Sequence, residues 1–287
     1  MSGLAIALAL AAAVAHAAWN VIAHNVSRAG VPFLWWGALA SAVIWAGAIP
    51  FTGGLGTDDL RGFLLGVGVS AVLHVLYMAV LQRGYQVGDL STVYATARGS
   101  GPFRSVIIAM VLLGERPSAV ALGGVALVLL GVIGIGLVDR DSSGVRRGVD
   151  PAVLFGLLTG VMIATYTIWD AHSVREWSLS PVAFMVGTTV LQLPFYSVVV
   201  RRRWASVWQL GRREWRRIIA FGILSPLSYI LVLQAITIAP VALIAPLREV
   251  SVVLISLFGA FVLKESRPGL RIAASVVVVA GVVLLAF

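Results

Sequence analysis

Arg98 and Arg248 each lie inside a long apolar stretch, Leu90–Leu113 and Pro240–Leu263, and they stand 150 positions apart. A charge at the centre of a bilayer costs about 2.5–3.5 kcal/mol on insertion scales, so such residues face a cavity or a partner. Two guanidinium groups brought together could clamp a carboxylate or another anion through bidentate hydrogen bonds. The plainer reading is that each is neutralised by an acid or by helix-end carbonyls and locks the bundle. Asp170 and Glu249 are the candidate acids. A carboxylate in a low-dielectric site takes up a proton more readily unless a cation is near. Either acid could therefore couple a flux to protons, or simply neutralise an arginine. Glu249 follows Arg248 directly, and neighbours on a regular helix do not face each other. A pairing across the chain, Arg98 with Glu249, is expected instead.

A second group of side chains surrounds these. His16 and Asn20 are four apart with Trp19 beside them, and share one broad helical face. Tyr166, Trp169 and Asp170 occupy the positions 150 further on. With Tyr94, and with His74 and Tyr77 one turn apart, they form a candidate pocket. Aromatic walls with a few polar groups suit a small organic ligand. The alternatives are an interfacial belt for the tryptophans and an ordinary hydrogen-bonded core histidine for His74. His24 and His172 lie at stretch ends and read as interfacial. Arg104 is six positions from Arg98, about 120° away on an ideal helix. It either pairs with an acid on another helix or reaches a pocket of its own. Glu115 and Glu265 sit at stretch ends beside Arg116 and Lys264, which points to capping or loop anchoring. Gly99, Gly101 and Pro102 weaken the chain beside Arg98, and Pro246 does so beside Arg248. Broken membrane helices expose backbone groups to ligands; a simple proline kink is the alternative.

The elements that hold these residues must be membrane helices. The chain is 60% hydrophobic and 11% charged, where soluble domains carry roughly 25% charged residues. Its apolar stretches reach the ~20 residues that cross a bilayer. A barrel would alternate polarity in short segments, and these stretches are solidly apolar. The fold class is all-α integral membrane. The net charge of +9 and pI near 11.0 come mostly from loop arginines, which read as orientation signal and lipid-headgroup contact. No nucleic-acid partner is expected. There is no cysteine, which removes disulfides and thiolate chemistry. Four histidines without paired ligand spacing suggest no metal site, and no cofactor is expected. Gly3–Ala15 looks like a signal sequence. No basic residue precedes it and the apolar run continues to Ala23, so a retained first helix is expected.

Ten spans can be counted: about Gly3–Ala23, Val31–Phe51, Arg61–Leu81, Leu90–Leu113, Ala119–Val138, Pro151–Asp170, Pro181–Val200, Trp215–Ile236, Pro240–Leu263 and Pro268–Phe287. Proline at the starts and glycine between runs support the count. The 150-residue spacing also pairs Trp19 with Trp169, Gly37 with Gly187, Glu115 with Glu265 and Gly131 with Gly281. This predicts two five-helix repeats, residues 1–138 and 151–287, joined by a polar linker at 139–150. Five is odd, so the second copy enters from the opposite side, giving an inverted repeat. Glycines 123, 124, 131, 134, 136 and 281 are expected to let the fifth and tenth spans pack closely. Loops after odd-numbered spans hold nearly all the loop arginine, seven of them in Arg201–Arg217. The positive-inside rule then places both termini outside the cytoplasm.

These motifs resemble the ten-helix branch of the drug/metabolite transporter superfamily, built from two EamA-type domains. The markers are Leu113-Gly114-Glu115-Arg116 before a glycine-rich span, and a weaker copy, Leu263-Lys264-Glu265. The stretches His16-Ala17-Ala18-Trp19-Asn20, Ala97-Arg98-Gly99-Ser100-Gly101-Pro102 and Ala245-Pro246-Leu247-Arg248-Glu249 look like one subgroup. Lys264 replaces the usual glycine, and Val252 stands where Pro102 does in the first copy. The resemblance implies cytoplasmic termini, against the charge count. It also implies a multi-pass protein of the cell (inner) membrane that moves small metabolites, amino acids among them, often outward. With no phosphate-binding glycine loop, the expectation is a secondary transporter, monomeric or a weak homodimer, working by alternating access around a central cavity. A flippase for lipid or lipid-linked substrates is the nearest alternative. An intramembrane enzyme or signalling protein is further off, since no catalytic constellation is visible.

Overall fold

The computed structural model describes residues 2–23, 26, 29–87, 90–138, 150–262 and 267–285. Among these there is no strand. The helices are α1 (Gly3–Ala23), α2 (Val31–Ala46), α3 (Leu60–Val87), α4 (Leu90–Leu112), α5 (Ala119–Val138), α6 (Pro151–Glu176), α7 (Pro181–Val200), α8 (Trp204–Ile238), α9 (Val241–Leu247), α10 (Val250–Phe261) and α11 (Pro268–Leu285). Helices are the natural outcome where no water is at hand to satisfy an open backbone. Their starts follow local chemistry. Asp150 Oδ1 accepts from the Ala152 amide at 2.9 Å, and proline occupies the first turn of α2, α6 and α7.

Among the described residues, eight segments are long and apolar enough to cross a membrane, with Val241–Phe261 taken as one. Helix α2 is equally apolar but has only 16 residues. It stops at Ala46, short of the expected Phe51, and a 3-10 turn follows at Ile49–Thr52. Helix α4 falls outside the eight because Ser91, Thr92, Thr96, Arg98, Ser100 and Arg104 dilute its hydropathy. Exposed apolar side chains, among them Leu64, Leu76, Val111, Val198 and Val276, cover the outside of the bundle. This is the surface a lipid-embedded protein presents.

Helix α1 lays an alanine face, Ala5, Ala9 and Ala12, into the core and packs on α8, α9 and α10. Helix α6 packs on α3 and α4, α2 on α7 and α8, and α3 on α7. Helix α5 crosses α11 with almost no side chain between them. A Cβ on Gly281 would lie 2.7 Å from the Gly124 carbonyl oxygen, and one on Gly131 would lie 2.8 Å from the Ala274 carbonyl oxygen. Only glycine lets backbones come so close. Helix α8 starts eleven residues before the expected Trp215, and Glu214 leaves the helical region at φ −114°, ψ 20°. Lys264 and Glu265, His24, and the linker residues 139–149 lie outside the described residues.

Candidate functional site

The site is built where the helix from Val241 breaks. Pro246 has no amide to donate. Beyond it the backbone tightens to three-residue hydrogen bonds: Glu249 to Pro246 at 2.9 Å, Ser251 to Arg248 at 3.2 Å and Val252 to Glu249 at 2.9 Å. Arg248 and Glu249 form the junction between α9 and α10. The first copy differs. Helix α4 continues through Gly99, Gly101 and Pro102, so the expected weakening beside Arg98 does not become a break.

Glu249 is completely buried, and Arg98 and Arg248 are 9% and 6% exposed. Arg98 Nη1 stands 3.4 Å from Glu249 Oε1, and Arg248 Nε stands 3.8 Å from the same oxygen. The expectation that Arg248 and Glu249 face apart is corrected here. It assumed regular helix, and the junction turns both side chains to one side. One carboxylate thus faces two guanidiniums, so this trio carries one cation more than it neutralises. Arg248 Nε and Glu249 Oε2 have no hydrogen-bond partner. Buried polar atoms are rarely left so.

Arg98 Nη2 lies 2.6 Å from His16 Nε2. A guanidinium only donates, so His16 must accept there and carry its proton on Nδ1. The Arg98 guanidinium also lies over the Tyr94 ring, 5.3 Å from its centroid, a favourable placement for a cation. Arg248 is within electrostatic reach of Tyr166 and Tyr229.

A second cluster adjoins this one. Asp170, wholly buried on α6, accepts a short hydrogen bond at Oδ2 from the Tyr229 hydroxyl of α8. His74 Nε2 is 3.9 Å from the same oxygen, while Asp170 Oδ1 has no partner. His74 Nδ1 lies 2.9 Å from the Ser70 carbonyl oxygen. That oxygen can only accept, so Nδ1 holds a proton and Nε2 is the position at which the ring gains charge. The His74 ring is tilted over Tyr166, centroids 4.3 Å apart, and Tyr77 meets Tyr166 edge-on. Tyr166 and Ala97 pack in one apolar cluster, with Tyr77 and Tyr229 against it, which joins the two groups. Asp170 pairs here and not with either arginine.

The other sequence candidates are placed as follows. Trp19 packs edge-on against His16 and Phe221. Asn20 donates to the His16 carbonyl oxygen at 2.7 Å, so its amide is used within α1. Trp169 points to α3, donating to the Gly66 carbonyl oxygen at 3.0 Å, and clusters with Trp177 and His172. It has no contact with the arginines among those described. Arg104 donates to the Leu157 carbonyl oxygen at 3.1 Å and finds no acid there.

Glu115 caps a helix. Its two oxygens accept from the Val241 and Ala242 amides, each at 2.8 Å. Arg175 donates to Glu115 at 2.9 Å and to the Ile236 and Ala239 carbonyls at 2.9 and 2.7 Å. The end of α8 and the start of α9 are thus tied to α6 and to the loop before α5. Sequence reasoning missed Tyr229, Ser70 and the role of Arg175. Position 79, which matches Tyr229 in the first copy, is an alanine, so the repeat gave no signal for it.

The architecture and the buried charges define a multi-pass helical membrane protein with a polar centre. Residues 150–287 match the EamA-like transporter family, which supports a place in the drug/metabolite transporter superfamily. No curated protein matches the chain. Twenty-nine solved chains are similar. One of these, a crystal structure described only as that of a protein, superposes with a TM-score of 0.78 over 99% of this chain and 96% of its own, at 17% identity. At that identity the likeness is one of fold alone. The second half of the chain is thus similar to the EamA-like transporter family, within a multi-pass helical fold.

Proposed function

We propose that the chain is a secondary transporter of small, carboxylate-bearing metabolites, amino acids among the candidates, and that it exports them by alternating access. The observation that carries this reading is the buried trio Arg98–Glu249–Arg248. Two cations from opposite halves of the chain share one acid, and the unneutralised guanidinium is a receptor for an anionic group. Tyr94, Tyr166, Tyr77, Trp19 and His16 provide the less polar walls, Asn20 and His74 frame the pocket, and Trp169 braces α6 behind it against α3. Asp170 and Glu249 are the proton-coupling acids.

The repeat supports it. Gly131 approaches Ala274, and Gly281 approaches Gly124; both members of each pair exchange under the 150-residue shift. An interface in which residue i meets j and the image of j meets the image of i is the mark of a twofold axis. The helix pairs behave likewise, α1 with α8 against α6 with α3, and α2 with α8 against α7 with α3. With α9 and α10 taken as one span, the reading is of ten spans in two inverted sets of five. A single chain supplies both halves of the site, so the monomer, or a weak homodimer of it, is the working unit in the cell membrane.

The test is counterflow of radiolabelled amino acids and other carboxylates into liposomes that hold the purified protein. Saturable counterflow is expected for at least one carboxylate. It should vanish in Arg98→Ala and in Arg248→Ala, with both variants still inserted. Rates at wild-type level in both would end the anion-receptor reading.

A further inference from the structure

We propose that the cleft at the bend of α8 binds the phosphate of an anionic phospholipid. The segment 201–217 holds Arg201, Arg202, Arg203, Arg212, Arg213, Arg216 and Arg217, all exposed, against one acid, Glu214. Its shape follows from two contacts. Trp36 of α2 donates from Nε1 to the Val207 carbonyl oxygen at 2.7 Å, and the indole lies flush against Gly211, where a Cβ would come within 2.8 Å of Nε1. The first three turns of α8 are thereby held onto α2. The chain then bends at Glu214 and enters the bundle.

The bend opens a cavity of about 310 Å³ lined by Arg213, Glu214, Trp215, Arg216 and Arg217. A second, of about 250 Å³, adjoins it and shares Arg213, Glu214 and Arg217. Glu214 pairs with Arg213 at 3.3 Å and with Arg217 at 3.0 Å. It therefore fixes two guanidiniums at the rim and neutralises one charge of the three. Arg216 lies over the Trp215 ring, 5.3 Å from the centroid. Its side chain is thus held beside the cleft.

The occupant is a lipid because of where the cleft sits. Trp208 and Trp215 are 54% and 53% exposed, beside an apolar span that continues to Ile238. Exposed indoles at the end of a span lie at headgroup depth. Arginine matches phosphate oxygens in bidentate fashion, and each basic residue near an anionic surface adds about 1 kcal/mol, close to fivefold in affinity.

The experiment uses full-length protein in neutral detergent, titrated with phosphatidylglycerol, with phosphatidylcholine or with inorganic phosphate. Bound lipid is read by native mass spectrometry and stability by thermal unfolding. Two triple variants are compared, R213Q/R216Q/R217Q in the cleft and R61Q/R83Q/R116Q elsewhere on the surface. Phosphatidylglycerol affinity should fall roughly a hundredfold in the first (about fivefold per arginine) and by no more than about fivefold in the second. Equal loss in both variants, no loss in either, or equal stabilisation by inorganic phosphate at the same concentration would overturn the assignment. The cleft variant should melt within a few degrees of wild type in phosphatidylcholine; a collapse there would make the cleft a structural element and also overturn it. Carboxylate counterflow in phosphatidylcholine liposomes is independent of this site, so failure here leaves the transport reading standing.

Discussion

Arg98 and Glu249 stand 3.4 Å apart across 151 residues of chain. The contact joins α4 to the α9–α10 junction at the buried centre of the bundle. Leaving a buried charge without its partner costs about 3–5 kcal/mol. Glu249→Gln does this to two guanidiniums at once, whereas Arg98→Ala leaves Glu249 to Arg248, 3.8 Å away. Glu249→Gln should therefore lower the melting temperature in detergent markedly, and Arg98→Ala/Glu249→Gln, which buries one lone cation in place of two, should recover part of the loss. Arg248, still without its acid, limits the recovery. If the double variant is as unstable as the sum of the singles, the two residues are not coupled.

Glu115 and Arg175 make a different kind of joint. Five hydrogen bonds, each involving a charged group, tie α6, α8 and α9 together. A hydrogen bond to a charged group contributes about 1.5–3 kcal/mol. Glu115→Ala should cost about 2–3 kcal/mol in stability, discounted from the sum because Arg175 is a quarter exposed. Arg175→Ala should cost a similar amount, and the double variant little more than either single. Urea unfolding of the three in mild detergent measures this. Strict additivity would mean that the two residues act separately.

Much of this was legible in the chain. The apolar runs located the helices, because nothing else can satisfy backbone groups in lipid. The 150-residue spacing picked out Arg98 and Arg248, and the pairing of Arg98 with Glu249 followed from the impossibility of facing neighbours on one helix. That same rule misjudged Arg248 and Glu249, since it holds only within regular helix and Pro246 ends it. Tyr229 was invisible because it contributes through a tertiary contact that has no counterpart in the other repeat, and Ser70 because it acts through its backbone carbonyl, which its residue type does not signal. The direction of Trp169 was hidden for a related reason. It matches Trp19 in position, but its indole turns to Gly66, and sequence spacing gives no side-chain direction. The early start of α8 was hidden by its arginines, which read as loop and are in fact a helix lying against α2.

The α5–α11 crossing predicts a steep penalty for bulk. At Gly281 a Cβ would press on two backbone atoms, the Gly124 carbonyl oxygen and the Val128 amide nitrogen, each at 2.7 Å. Neither can move without shifting its helix. Gly281→Val should cost about 1–3 kcal/mol, the range for overpacked sites. Gly123→Val should cost less, since a Cβ there meets nothing within 4 Å. Melting temperatures of the two variants compare them directly. Equal penalties would show that the loss comes from the substitution itself and not from the crossing.

Asp170 predicts a change in coupling. His74 Nε2 and the Tyr229 hydroxyl both converge on Asp170 Oδ2, and an amide at that position cannot exchange the proton. With Asp170→Asn, accumulation of a carboxylate against its gradient under an imposed pH difference should be lost, while equilibrium counterflow persists at a rate within about a hundredfold of wild type, the low end of what a positioned proton-transfer group contributes. Retained pH-driven accumulation would remove Asp170 from the proton path.

The charge distribution predicts an orientation. Of the 21 basic residues, fifteen fall in the sequence in or beside the connections after odd-numbered expected spans, and three, Arg61, Arg116 and Arg175, beside those after even-numbered ones. Such a bias sets topology, so the arginine-rich side should be cytoplasmic and both termini external, opposite to what the family resemblance implies. The chain has no cysteine, so single cysteines report without background. Thr52→Cys lies in the 3-10 turn after α2, and Ser206→Cys lies at the exposed start of α8. In intact cells a membrane-impermeant maleimide should label Thr52→Cys and leave Ser206→Cys until the cells are opened. The reverse pattern would place the seven arginines of 201–217 outside. Charge in this chain would then not govern insertion, and the family orientation would hold.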